Sequence, residues 1–452
     1  MSSDSGRFSG WDTLPDVALL HIFKRLSDAD RSRAARVCHH WYRIMRSPCL
    51  WRTRCFRFNG RLSKYKQSDY GSAVGYIHSL GVYLERLEVT VCPPRSTVLA
   101  QRLHDTIWGM FKELVSVRVP LTSLSLVRLE LDRSGWTRGY RRSVVNILIN
   151  FLTRGASKLN YLCLNGMRND TQQGRDVLLA LVKYQRALSP HSSLSSLDLR
   201  DFFSTHLPVQ FNSRLPRILQ KLQGLTYLGL SYSCLSDELI MSLCQCHRGK
   251  GWTSGRGGKI LQKFSLQCTR NEPHHQLVCG HSWATLVSSY PDLKVHISVD
   301  QVINTDSLAK ILLPEIPLRK FSMTGFYSPD ENWSIKPLLC HMLPRYRHSL
   351  QYLTLDVSNC VESVDEELLE LVAVCERLED LRVWAFMDVQ TVGSLLHMRL
   401  TQRFSLNKIK VRIYSLNDNV TEQEDELKNV LSPYEQRFPP ELQVLAAVIP
   451  FI

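Results

Sequence analysis

The residues most able to do chemistry gather between positions 244 and 281. Cys244, Cys246, His247, Cys268, His274, His275, Cys279 and His281 all fall in that window. Thiols and imidazoles at close spacing can hold zinc, which takes four ligands converging tetrahedrally from tightly spaced pairs. Here a C-x-C-H is followed by a loose H-H-x-x-x-C-x-H, which is not a spacing such sites use. Cys244 and Cys268 also occupy helix or strand positions that suit core packing. The expectation is therefore buried thiols with surface histidines and no metal. The stretch RGKGWTSGRGGK, from Arg248 to Lys259, is glycine-rich and basic but lacks the G-x-x-x-x-G-K-[ST] order of a phosphate loop. Trp252 among those cations can stack on a base, as in single-strand binders. A loose insertion between structural units is the alternative. No Ser-His-Asp or Cys-His arrangement can be assigned, and nothing marks a cysteine as activated. The expected chemistry is recognition, with no catalytic residue and no cofactor.

A second set is suited to recognition. Arg382 and Trp384 share one short segment, and Lys408, Lys410 and Arg412 alternate in another. Alternate positions of a strand share a face, so the last three put three cations side by side. Such a face pairs with the carboxylates or phosphates of an acidic or phosphorylated segment. The alternative is a solvated surface balanced by Glu422, Glu424 and Asp425.

The elements that position these residues repeat. From Leu84 the order apolar, two residues, apolar, one residue, apolar recurs as LERLEV, LTSLSL, LNYLCL, LSSLDL, LTYLGL, LQKFSL, YPDLKV, LRKFSM, LQYLTL, LEDLRV, LNKIKV and LQVLAA, at 84, 121, 159, 194, 225, 261, 290, 318, 350, 378, 406 and 442. The period averages about 32 residues, the mark of a solenoid. The last two apolar positions alternate, as a strand with one buried face requires. Helical stretches lie between copies: Asp170 precedes VLLALV, Ser236 precedes LIMSLC, Asp306-Ser307 precedes LAKILL, and an EELLELVAVC stripe lies within 362–377. Each unit reads strand, loop, helix, and stacking builds one continuous core.

Ahead of the array, residues 11–52 read as short helices. Pro15 suits a first turn and Asp16 the positive end of the helix dipole. Leu19, Ile22, Phe23 and Leu26 form one apolar stripe from about Leu14 to Leu26. Ser27 with Asp30 resembles a capping box and opens a second helix, which Ser47-Pro48 breaks before Leu50 and Trp51. A module of about forty residues is near the lower limit for folding alone, so part of this apolar set should meet a partner. The alternative is that the stripes only make the module's own core. Residues 57–83 read as a basic, helical connector, and residues 1–10 as a disordered terminus.

The spacing Leu14-Pro15, Leu19-Leu20, Ile22-Phe23, Leu26, Asp28, Val37-Cys38, Trp41 and Leu50-Trp51 resembles the F-box family, with Ala18 where that family commonly has Leu. The array resembles the leucine-rich repeats of F-box proteins. The segments at 30–38, 235–239 and 384–389 look like the F-box-only group with irregular repeats. The repeat Asn or Cys is mostly absent; Cys234 and Asn359 come only near its place. The resemblance implies an α/β solenoid: a three-helix F-box at 11–56, then, over 84–452, a leucine-rich-repeat horseshoe of about twelve irregular strand-loop-helix units. It implies docking of Leu14, Pro15, Leu19, Ile22, Phe23, Leu26, Val37, Trp41 and Trp51 on the Skp-type adaptor of a cullin-RING ubiquitin ligase. Cullin and RING subunit then join through the adaptor. The repeats, with Arg382, Trp384, Lys408, Lys410 and Arg412, would receive a protein substrate. The receptor itself needs no catalytic residue, because it works by proximity. The other function open to such a chain is a basic repeat scaffold that binds protein or RNA without a ligase.

The totals fit an intracellular binding protein. The chain has 452 residues, 44% hydrophobic and 22% charged, as folded domains are. No run of about 18 apolar residues and no N-terminal signal core is present, so no membrane partner is expected and the place of work is cytoplasm or nucleus. Thirteen cysteines without C-x-x-C pairs read as reduced thiols. Of the net charge of +14, residues 1–66 supply +9 (14 Lys/Arg against 5 Asp/Glu). A basic module favours an acidic partner, and nucleic acid is not the expected one.

Overall fold

The computed structural model describes residues 11, 14–58, 67–156, 158–187, 194–204, 215–222, 224–245, 260–326, 333–401, 405–416, 420–435, 437 and 442–451. They fall into two compact units. The first runs up to Cys163 and resumes at Asp176; the second holds Leu164–Arg175 and the chain from Leu194 on.

The first unit opens with α1 (Asp16–Lys24), α2 (Asp28–Ala34), α3 (His39–Met45) and a 3-10 turn, Pro48–Leu50. Pro15 is the residue that caps α1, one place earlier than a first-turn proline. The Asp30 N–H donates to Ser27 Oγ at 3.2 Å, so the expected cap of α2 is present. The expected single second helix is in fact two. The chain leaves helical geometry at Cys38, whose extended backbone and sulfur, accepting from Trp41 N–H at 3.4 Å, start α3. A thiol is a weak acceptor, so this start has no strong sequence signature.

The connector also differs from expectation. Thr53–Phe58 form a strand, β1, paired in parallel with β2 (Arg86–Val91). The sheet therefore starts one strand before the first recognisable repeat. Among the described residues of the connector, α4 (Gln67–Leu80) and a 3-10 turn at Gly81–Tyr83 are helical. The unit continues through α5 (Thr97–Ser116), β3 (Ser123–Val127), α6 (Arg138–Asn150) and β4 (Tyr161–Cys163), each strand parallel to the last.

The second unit carries nine strands: β5 (Ser196–Leu199), β6 (Tyr227–Ser231), β7 (Lys263–Thr269), β8 (Lys294–Asp300), β9 (Leu318–Gly325), β10 (Tyr352–Val357), β11 (Asp380–Ala385), β12 (Lys408–Ser415) and β13 (Gln443–Pro450). Each pairs in parallel with the next. All twelve repeat copies thus hold a strand, giving thirteen strands among the described residues. Burial alternates along β8, β10, β11 and β12, whereas β5 and β6 bury nearly every residue. Leu353, Leu381 and Ile409 face one another across three strands and are fully buried. Burying each such side chain contributes about 1.5–3 kcal/mol, and each does so only against its neighbours.

Helices return the chain between strands: α7 (Thr171–Ala187), α8 (Leu215–Leu219), α9 (Asp237–Gln245), α10 (Gly280–Ser289), α11 (Thr305–Ile311), α12 (Asp365–Val374), α13 (Val389–Thr401) and α14 (Val420–Glu435). Asp170 and Ser236 cap as expected, through Gln173 N–H at 2.7 Å and Leu239 N–H at 3.1 Å. The helix expected at Asp306-Ser307 starts earlier, because Asn304 accepts from Ser307 N–H at 2.9 Å. After β9 the return is a π turn and a 3-10 turn, Leu338–Tyr346, which is one source of the irregular period.

Asn359 is buried and serves as a repeat asparagine. Its amide donates to Phe386 O (2.7 Å) and Glu362 O (3.0 Å) and accepts from Phe386 N–H (2.8 Å). Asn169 acts alike toward Phe202 O at 3.0 Å, at a position the repeat pattern did not flag.

The pairing of β8 with β9 carries one register shift. Val295 faces Leu318 and His296 faces Lys320, so Arg319 is an extra residue in β9.

Candidate functional site

The helical module's core is Leu19, Phe23, Ala34, Ile44, Met45 and Leu50, with Leu14, Leu26, Trp41 and Trp51 packed partly against it. Phe23 and Trp41 meet edge to face at 5.1 Å. Arg31 joins the pieces: its guanidinium donates to Phe23 O (2.9 Å), Lys24 O (2.9 Å) and Leu50 O (2.8 Å). Its charge lies 5.8 Å over Trp51, whose indole N–H donates to Met45 O at 2.6 Å.

This sorts the nine candidate docking residues. Leu19 and Phe23 are buried (0% and 1% exposed) and cannot touch a partner directly. Ile22 and Val37 are exposed at 38% and 64%, and Pro15 is exposed too. Leu14, Leu26, Trp41 and Trp51 are half-buried and support them. Pro15 and Ile22 lie on one helix stripe, with half-buried Ala18 between them. Val17 and Tyr42 are exposed apolar residues that periodicity did not single out, because they lie off the stripe. Lys24, Arg25, Arg36, Arg43 and Arg46 of the same module are exposed too. Asp16 accepts from His40 at 2.7 Å, which holds its carboxyl below the usual range. The module is thus closed by its own core and still exposes apolar side chains at Pro15, Val17, Ile22, Val37 and Tyr42.

The second candidate face lies on β11 and β12. Register pairs Asp380 with Lys408, Arg382 with Lys410 and Trp384 with Arg412. The five sequence candidates are therefore brought together on one face, but they are not equivalent. Arg382 is closed on Asp380 by two bonds, at 2.9 and 2.7 Å. Arg412 lies 5.7 Å over the Trp384 ring, whose covered N–H has no hydrogen-bond partner. Among the described residues, no carboxylate pairs with Lys408, Lys410 or Arg412. Asp425, which the alternative reading set against them, pairs with Lys428 on its own helix at 2.8 Å. The neighbouring Asp356 accepts from Tyr414 O–H at 2.6 Å.

Among the described residues, the thiols and imidazoles of 244–281 do not converge. Cys244 and Cys268 are core residues of α9 and β7. His275, Cys279 and His281 are exposed, and His274 bonds Thr269 O at 2.8 Å. Among the described residues no group of three His, Cys, Asp or Glu could hold a metal, and no helix is long and apolar enough to cross a membrane. Cys246, His247 and the stretch 248–259 with Trp252 lie outside the described residues, as do residues 1–10.

Known proteins point the same way. Residues 11–57 match the F-box-like family model. F-box/LRR-repeat protein 21 of Ovis aries is 33% identical over 234 residues, 52% of this chain and 48% of that protein. Its Bos taurus namesake is 23% identical over the same extent. F-box/LRR-repeat protein 12 of Bos taurus is 51% identical over 39 residues, 9% of this chain and 12% of that protein. The chain thus spans about half the length of the first relatives it matches. Residues 11–57 thus carry an F-box-like domain, and the thirteen parallel strands that follow its helices among the described residues have the spacing of leucine-rich-repeat-type units.

Proposed function

We propose that the chain is the substrate-recognition subunit of a cullin-RING ubiquitin ligase. The observation that carries this is the exposed apolar set of Pro15, Ile22 and Val37 on a module whose core is complete without it. Apolar anchors inside a charged rim are how protein interfaces gain affinity and orientation. The basic rim favours an acidic Skp-type adaptor, through which cullin and RING subunit join. The receptor contributes proximity and no bond chemistry. The strand face of Lys408, Lys410 and Arg412 is the proposed substrate contact, suited to acidic or phosphorylated segments and working in cytoplasm or nucleus.

The test is affinity purification of the full chain, probed for adaptor and cullin, beside a variant with Lys408, Lys410 and Arg412 reversed to Glu. Adaptor and cullin should be recovered with both proteins, and clients with the unsubstituted chain only. Absence of adaptor would leave the basic-scaffold reading. Unchanged clients would move the substrate site elsewhere.

A further inference from the structure

Among the described residues, strand β13 is hydrogen-bonded on one side only, to β12. The pairing shows what its other side offers. Gln443 N–H donates to Asn407 O at 2.8 Å and Phe451 N–H to Ser415 O at 3.0 Å, so the odd-numbered residues turn their backbone groups toward β12. Backbone groups alternate sides along a strand. Val444, Ala446 and Val448 therefore aim N–H and C=O away from the sheet. Pro450 shares their side and has no N–H to offer.

The side chains leave this edge open as well. From Leu442 to Ile452 no residue is charged. Leu445 is 52% exposed. Val444 and Ala446 are half-buried, although in register they continue from Ile409 and Val411, which are fully buried. Natural proteins blunt an open edge with charge, because an apolar edge is a template for another strand. Strand β1 carries Arg54 and Arg57, whereas β13 carries no charge.

The occupant these groups fit is a second copy of the same strand. A two-fold axis normal to the sheet beside Ala446 sets Ala446 against its own copy and Val444 against Val448 of the second copy. Each free N–H of the strand then meets a free C=O, and Pro450 falls outside the paired stretch. On the inward face valine meets valine and alanine meets alanine, which extends the buried rows. On the outward face Leu445 covers Ala447 of the second copy. Alanines at the axis let the backbones approach to the usual spacing of about 4.8 Å. Charge does not oppose the pairing. The outward cations of β12 stand three strand spacings from those of the second copy, about 14 Å, against a screening length of about 8 Å. Such a contact also closes on itself: both edges are used up, whereas a foreign strand would leave a new edge exposed.

We propose that the chain forms a two-fold dimer through the free edge of β13. The dimer stands on this strand and not on the ligase reading. Because the axis keeps like faces on one side, the dimer shows two copies of the β11–β12 face on one surface, an arrangement for bivalent capture.

The test is sedimentation of the full chain from about 1 to 100 µM, a range that suits a small interface. The mass should rise to twice that of one chain and no further. Leu445→Lys, at an exposed position, should weaken association at least about tenfold and leave the melting temperature unchanged. Ala446→Pro removes an N–H that β12 does not use and should weaken it as much. Nitrogen-15 alanine labelling gives a readout that needs no variant. The Ala446 amide should become protected from exchange as concentration rises, while the Ala447 amide, directed at β12, should be protected throughout. A chain that stays monomeric, a dimer that Leu445→Lys leaves intact, or assembly beyond two copies would overturn the proposal. If the chain stays monomeric and an alternating Val-Thr peptide protects Ala446 instead, the edge serves a foreign strand and not a second copy.

Discussion

Adjacent residues of α1 should behave oppositely on substitution. Ile22 is 38% exposed and Phe23 is 1% exposed. Burying a whole Ile is worth about 1.5–3 kcal/mol, so covering the exposed part of Ile22 contributes about 0.6–1.1 kcal/mol of binding. Ile22→Ala should therefore weaken adaptor binding by about three- to sixfold, with little change in stability. Ile22→Glu adds a charge that must be desolvated, and the loss should exceed about a hundredfold. Phe23→Ala instead opens the core and gives up the 5.1 Å contact with Trp41. The expected cost of about 3–5 kcal/mol exceeds what a module of this size can spare. Its adaptor loss should come with unfolding. The assay is adaptor affinity by calorimetry, paired with limited proteolysis within residues 14–58. If Ile22→Glu binds like the unsubstituted chain, or Phe23→Ala stays protease-resistant, the division into surface and core is wrong.

Two further outcomes follow from buried polar groups. Asn359→Ala leaves Phe386 N–H and O without their bonds, at about 1–3 kcal/mol each, and the Phe386 amide should exchange much faster with deuterium. Glu272 is buried, accepts from Ser233 N–H at 2.7 Å, and is pushed by burial from 4.5 up to about 7. The folded state binds this proton more tightly than the unfolded state. Its contribution is therefore complete below 4.5 and is lost as pH rises through about 7. Glu272→Gln should flatten that slope and raise stability at pH 8 by about 1–3 kcal/mol; a melting-temperature profile from pH 5 to 8 that does not change on substitution would contradict it.

The repeats were legible because stacked strands impose a period that single residues cannot hide. Strand β1 was not, since its buried pair, Phe56 and Phe58, follows the helical module without the leading apolar position of the repeat. Cys38 escaped because sulfur is an unusual cap. Asn169 stands one place beyond the offset that Asn359 keeps from its strand's last apolar repeat position. The site was legible as a set of residue types but not as a division of roles. An i, i+3, i+4 stripe names Leu19, Ile22 and Phe23 together, and only packing against Ala34, Ile44 and Leu50 decides which of them face inward. The bulge at Arg319 leaves no mark in the sequence beyond two adjacent cations, because register is set by the neighbouring strand.

The junction after Trp51 determines how motion passes through the first unit. The chain goes from the 3-10 turn into a paired strand within three residues, and Trp51 meets Tyr76 of α4 at 6.1 Å. Arg54 lies over both Phe56 and Tyr76, at 4.9 and 4.8 Å. Only Trp51 and Arg52 separate the 3-10 turn from β1. A torque applied to the F-box is borne by backbone hydrogen bonds between β1 and β2, and the first strands turn with it as a single lever. Whatever docks on the helices is thereby held in fixed orientation to the first strands of the sheet.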